Sequence, residues 1–380
     1  MTLRRAHLPT VTWLELLQDL IMVVLAVTLF SGLQYSWGGP WMIWYSAAVI
    51  VAYGNWVAWV VLNNRFPSQG LFAQLTSMLW MVGAVLAAGG ALWENWLPTE
   101  VLNLGIALVF VALGLRHLGV AISDPSTRRA SGWAVALCLL ASTLLLAGAG
   151  GLVPEYLALI VGPAIALTGL LIVYPRLLPA SATINVSHLS ERFGQFVLIF
   201  LGDGFLEIVL NIERGGSASL VTVVEAAAIL FLLWRAYFIH VLPLGPPAAL
   251  SKLQAWVAAH LVLVVGVGLT SASVAADAVL LAPELIEHLD AFTRSVGAGL
   301  TLAVAYLGLA LIALASGRRS ARTATAFVAF AGVLALAHIL FPGETTWQSG
   351  LIAVIAMAVL DVIVSRVAPN PSPAALEPTP

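Results

Sequence analysis

Charge is what this chain has least of. Only 9% of its 380 residues are Asp, Glu, Lys or Arg, against about 25% in an ordinary soluble domain. The 16 Lys and Arg nearly cancel the 18 Asp and Glu, leaving a net charge of -2. That balance excludes a basic nucleic-acid-binding surface. The single cysteine, Cys138, excludes an internal disulfide, and within WAVALCLLASTLLLAG it reads as buried filler. The seven His are scattered and no HExxH occurs, so no metal site and no cofactor are expected. There is no Asp-rich diphosphate motif or nucleophile elbow, and no soluble stretch long enough for a catalytic core, so the chain is not read as an enzyme. What fills the space is apolar: 61% of residues are hydrophobic and the mean hydropathy is +1.00. A water-soluble core cannot hide that much apolar surface, and a bilayer accepts it.

A membrane span needs about 20 apolar residues. Punctuation at Gly, Pro and charged clusters gives twelve such segments, at 13–33, 41–62, 71–92, 101–120, 132–150, 155–174, 191–212, 218–240, 253–273, 294–316, 323–341 and 348–366. The basic residues provide an independent check. Arg4, Arg5, Arg65, Arg116, Arg128, Arg129, Arg176, Arg192, Arg235, Lys252, Arg318, Arg319, Arg322 and Arg366 fall on one side of such a bundle. Only Arg214 and Arg294 fall on the other, which collects Glu94, Glu100, Glu155, Asp277, Glu284, Glu287, Asp290 and Glu344. The positive-inside rule then places both termini in the cytoplasm. The expected fold is all-α, a polytopic transmembrane bundle of about twelve spans over 1–366, with halves at 1–180 and 181–366. The basic N-terminus continues directly into a long acid-bearing run, so we read that run as a retained first helix. The connection SVAADAVLLAPELIEHLDAFTR, residues 273–294, is expected to carry a short surface helix after Pro283, and the Pro/Ala-rich tail 367–380 is expected to be disordered.

Several polar residues stand in the wrong solvent. In ERFGQFVLIFLGDGFLEIVLNIE, Glu191–Glu213, the helix rise puts Asp203 about 18 Å and Glu207 about 24 Å from its start. These acids are four apart and share a face. Gly202 and Gly204 flank Asp203 and would permit close packing or a kink. Glu225, about 10 Å into the next span, would reach a similar level, and three carboxylates meeting in low dielectric call for a shared proton or a cation. In TWLELLQDLIMVV, Glu15 lies near the surface while Asp19 is about 9 Å in. His188, His240, His260 and Arg235 are candidate helpers toward the same half. His260 reads equally as a packed, hydrogen-bonded histidine. Asp361 is expected to pair with Arg366. Asn55 is a candidate polar contact, and the thirteen Trp suit interfacial belts better than a ligand-facing wall.

Two motifs resemble those of the bacterial low temperature requirement A (LtrA) family. WLELLQDLIMVV, Trp13–Val24, is similar to that family's W-L-E-L-F-F-D-L-V-F-V. ERFGQFVLIFLGDG, Glu191–Gly204, is similar to E-R-F-G-L-F-x-I-I-x-L-G-E-S. LLWRAYFIH and HLVLVVGVGL extend the likeness into the second half. The resemblance implies a bacterial inner-membrane protein and marks Glu15, Asp19, Glu191, Arg192, Gly194, Gly202 and Asp203 as motif positions. Gln18 departs from an aromatic, and Asp203–Gly204 departs from Glu–Ser.

The functional expectation is a transporter or channel-like protein using buried carboxylates for proton or monovalent-cation coupling. Asp203, Glu207 and Glu225 would bind the ion, with Asp19 and Glu191 as a second half-site neutralised by Arg192. The alternatives are a non-catalytic membrane scaffold or stress protein and, further off, a lipid-modifying membrane enzyme. Membrane lipids are the expected partners.

Overall fold

Apolar runs of this length leave the backbone no water to bond, so each must satisfy its own N–H and C=O groups as a helix. A computed structural model describes residues 11–39, 41–67, 70–92, 99–179, 181–215, 220–278, 297–317, 320–340 and 347–367. Among the described residues every regular element is helical, and twelve helices are long. These are α1 (Trp13–Tyr35), α2 (Trp41–Arg65), α3 (Leu71–Ala91), α4 (Thr99–Ser123), α5 (Arg128–Ala149) and α6 (Glu155–Leu177). They continue with α7 (Val186–Gly215), α8 (Leu220–Arg235), α9 (Leu250–Ala278), α10 (Gly297–Ser316), α11 (Ala321–Leu340) and α12 (Trp347–Val367). Each falls on one of the twelve segments expected from hydropathy. Ten spans, α1–α6, α8 with its continuation to Leu244, and α9–α11, are long and apolar enough by length and composition alone to cross a membrane. The expected surface helix after Pro283, the tail beyond residue 367, and Trp93 and Trp96 lie outside the described residues.

The outer faces carry large apolar side chains where a soluble protein would carry charge. Leu71, Ile122, Val333 and Ile339 are all mostly exposed. An apolar girdle spread over so many helices is the surface of a protein dissolved in lipid.

The helices group into two compact units, with the division at Glu207–Ile208 inside α7. In the first unit α3 packs on α4, α4 on α5, α5 on α6, and α1 on α2 and α3. Glycine sets the closest of these approaches. A Cβ added to Gly105 would overlap the backbone of Ala87, and one added to Gly83 would stand 2.8 Å from the Gly105 carbonyl. In the second unit α9 packs on α10, α10 on α11, and α8 on α12. Gly266 and Gly308 there bring two backbones together in the same way. Small residues at a crossing let lipid-embedded helices gain close van der Waals contact where no hydrophobic force drives them together.

Tryptophan divides between two roles. Trp13, Trp41 and Trp133 are exposed, as belt residues should be. Trp44, Trp56, Trp59, Trp80 and Trp256 are buried, so the α2 cluster mainly builds the interior of the first unit. Cys138 is buried, as expected.

Candidate functional site: buried ion pairs at two helix crossings

The first turn of α1 is set by a capping box. Thr12 accepts from the Glu15 N–H, and the Glu15 carboxylate accepts from the Thr12 N–H at 2.8 Å. This places Glu15 at the helix mouth and Asp19 one turn deeper on the same face. Arg192, on α7, reaches both acids. Its Nε and Nη2 donate to the two Asp19 oxygens at 2.9 and 2.6 Å, a forked contact. Its Nη1 lies 2.9 Å from Glu15 Oε1. Trp56 Nε1–H of α2 donates to Asp19 Oδ1 at 2.8 Å. Asp19 is 0% and Arg192 1% exposed, so neither charge is met by water. The Trp56 ring stacks on Phe196 at 4.2 Å and meets Phe193 edge-on at 5.0 Å. An aromatic wall therefore fixes the donor that holds Asp19.

His188 stands at the outer edge of this network. Asn64 accepts from the Asn185 N–H and donates to the Asn185 carbonyl, which fixes its amide orientation. Its Nδ2 therefore also donates to His188 Nδ1 at 3.1 Å. The ring's N–H is then on Nε2, which lies 3.5 Å from Glu15. His188 serves Glu15, not Asp19.

The second unit holds its own ion cluster. Asp361 of α12 receives Arg235 Nη2 at 2.8 Å on Oδ2 and His240 Nε2 at 2.8 Å on Oδ1. Arg235 closes α8, and His240 sits in the π-helical turn Ala236–Val241 that continues it. In a regular α-helix residues five apart point about 140° away from each other. The wider π turn, with its i→i+5 bonding, brings them onto one face. The same arithmetic corrects the expected Asp361–Arg366 pair. Those residues are also five apart, but on an uninterrupted α-helix, and Arg366 is exposed.

Other expectations meet mixed outcomes. Glu191 is exposed, and Arg192 gives its nitrogens to Asp19 and Glu15, so it does not neutralise Glu191. Gly202 is exposed, and a Cβ there would meet nothing within 4 Å, so it marks no close approach. Gly194 and Gly204 are buried. Asp203 is half-buried in the first unit, Glu225 is buried in the second, and the Glu207 side chain lies outside the described residues. Arg235 and His240 belong to Asp361 and are not helpers of Asp19. His260 is packed and hydrogen-bonded: Nδ1 meets the Trp256 carbonyl at 2.8 Å, and Nε2 meets Tyr237 Oη at 3.1 Å. Asn55 makes the polar contact expected of it, accepting from Trp80 Nε1 at 3.1 Å. Sequence reasoning missed Trp56, because an indole N–H inside an aromatic-rich helix carries no signal of its partner.

The acids and Arg192 of this network sit in the motifs Trp13–Val24 and Glu191–Gly204. No curated protein matches the chain. The family model described as bacterial low temperature requirement A protein (LtrA) matches residues 10–362, which takes in both motifs, and the chain belongs to that family.

Proposed function

We propose that this protein moves a solute or ion across the bacterial inner membrane and couples that movement to protons or monovalent cations through its carboxylates. In this reading both termini are cytoplasmic, as the distribution of Arg and Lys requires, and no chemical step is assigned to the protein. The observation that carries it is the contrast between two kinds of acid within these helices. Asp19 and Asp361 are locked by arginine. Glu225 is 8% exposed, and its Oε1 has no hydrogen-bond partner among the described residues. Gly350 leaves the room its carboxyl occupies, since a Cβ there would collide with it. A carboxyl group in a lipid-embedded helix without a partner must take up a proton or a cation, and that exchange is what coupling needs. Asp203 and Glu207 are assigned to the same role in the first unit, with Asp19, Glu15 and Arg192 as the gate.

The test is flux in proteoliposomes under an imposed pH or cation gradient. Glu225→Gln should reduce the wild-type rate to that of empty vesicles while the protein remains monodisperse. An unchanged rate in Glu225→Gln and in Asp203→Asn would overturn the assignment. One observation favours a second reading, a non-catalytic scaffold: Arg192 answers Asp19 and Glu15 so fully that the network would serve as a structural clamp alone. Under that reading neutral substitutions alter stability, and no flux is measurable in the wild type.

A further inference from the structure

The first unit contains a cavity of about 860 Å³ at the end where α1, α3 and α7 begin and α2 ends. That volume lies within the usual range for a small-molecule site, about 300–1,000 Å³. Its wall includes Glu15, Gln18, Arg65, Gln74, Ser77 and His188. Trp13, which also lines it, is 87% exposed, so the cavity reaches the surface there.

The hydrogen-bonding groups of this wall are unevenly spent. Several acceptors are in use. Glu15 takes Arg192 on one oxygen, and Thr12 and His188 on the other. Asn63 Oδ1 accepts from Arg116 Nε at 2.9 Å, and Asn64 Oδ1 accepts from the Asn185 N–H at 2.8 Å. His188 Nδ1 is filled by Asn64. Among the described residues, two donors have no partner. Gln18 is 2% exposed, and its Nε2 has no partner. Arg65 gives Nη1 to the Ala182 carbonyl at 3.3 Å, while its shielded Nε has no partner. Among the described residues no carboxylate pairs with the Arg65 guanidinium, whereas the Glu15 charge is met by Arg192. An unsatisfied buried donor costs its full desolvation, and two of them, one on a guanidinium that no described carboxylate pairs with, describe an incomplete site.

We infer that this cavity binds a small anion with a carboxylate or phosphate head, received by Arg65 and by the Gln18 amide. The assignment does not rest on transport: the anion can be cargo or effector, and binding is read without flux.

The experiment is a binding titration of the intact protein in phosphatidylcholine nanodiscs. The probes are succinate, inorganic phosphate and glycerol phosphate, with tetramethylammonium as a cation control. A second arm adds phosphatidylglycerol to the discs. Saturable binding of a soluble anion is expected, weakened about tenfold or more by Arg65→Gln and by Gln18→Met, the loss of one charge-assisted hydrogen bond each. Stabilisation by phosphatidylglycerol alone, lost in the same variants, would identify a lipid headgroup as the anion. Should Arg65→Gln not fold, Arg65→Lys keeps the charge without the Nε donor, and Gln18→Met carries the test. No anion binding in either arm, binding unchanged in the variants, or a preference for tetramethylammonium would overturn the proposal. Failure here would leave the Glu225-dependent flux untouched, and the reverse also holds.

Discussion

Replacing Arg192 by Met would leave two carboxylates stranded with no cation between them. Asp19 is wholly enclosed and receives two of the arginine's bonds, and Glu15 receives the third. Breaking a buried pair by removing one partner costs about 3–5 kcal/mol, because the survivor keeps its charge without compensation. Asp19→Asn is a milder change. Arg192 still meets Glu15, the asparagine can accept from Trp56, and the loss is about that of a charge-assisted bond, 1.5–3 kcal/mol. If the residues acted independently, the double variant would lose both amounts. In the structure they share one interaction, so the double variant should fall close to Arg192→Met alone, with a coupling of about 2 kcal/mol. The measurement is unfolding in mixed micelles, followed by tryptophan fluorescence, on the wild type, both single variants and the double. Additivity within about 0.5 kcal/mol, the behaviour of independent sites, would refute the argument that this pair holds α1 to α7.

Two further predictions follow from the packing. Asp361→Asn should destabilise the second unit more than His240→Gln, because it removes the negative charge and one of the two carboxylate oxygens that Arg235 and His240 share, whereas His240→Gln leaves the Arg235–Asp361 contact standing; equal effects in the same unfolding assay would refute the order. Gly105→Ala should cost about 1–3 kcal/mol through overpacking against the Ala87 backbone, while Gly202→Ala, with open space around it, should be neutral or stabilising; a neutral Gly105→Ala would mean that α3 and α4 do not cross as described.

The sequence by itself determined the class and the positions of the long helices among the described residues. Apolar runs of span length admit one backbone solution in lipid, so hydropathy located all twelve long helices to within a few residues. It also marked Glu15, Asp19 and Arg192, because charges in such runs are rare enough to stand out. It could not pair them. Asp19 and Arg192 are 173 residues apart, and no local periodicity links them; only the side-chain contact between α1 and α7 does. Asp361 shows the same limit at shorter range. Arg366 is its nearest cation in sequence, yet a π turn following α8, invisible in the residue pattern, swings His240 into line with Arg235. The cavity beside Gln18 was equally hidden, since an empty volume with unspent donors exists only once α1, α2, α3 and α7 have enclosed it. Local chemistry dictates which segments become helices because the lipid demands it segment by segment. Which charges meet depends on where those helices cross, and that is decided by the packing of the whole chain.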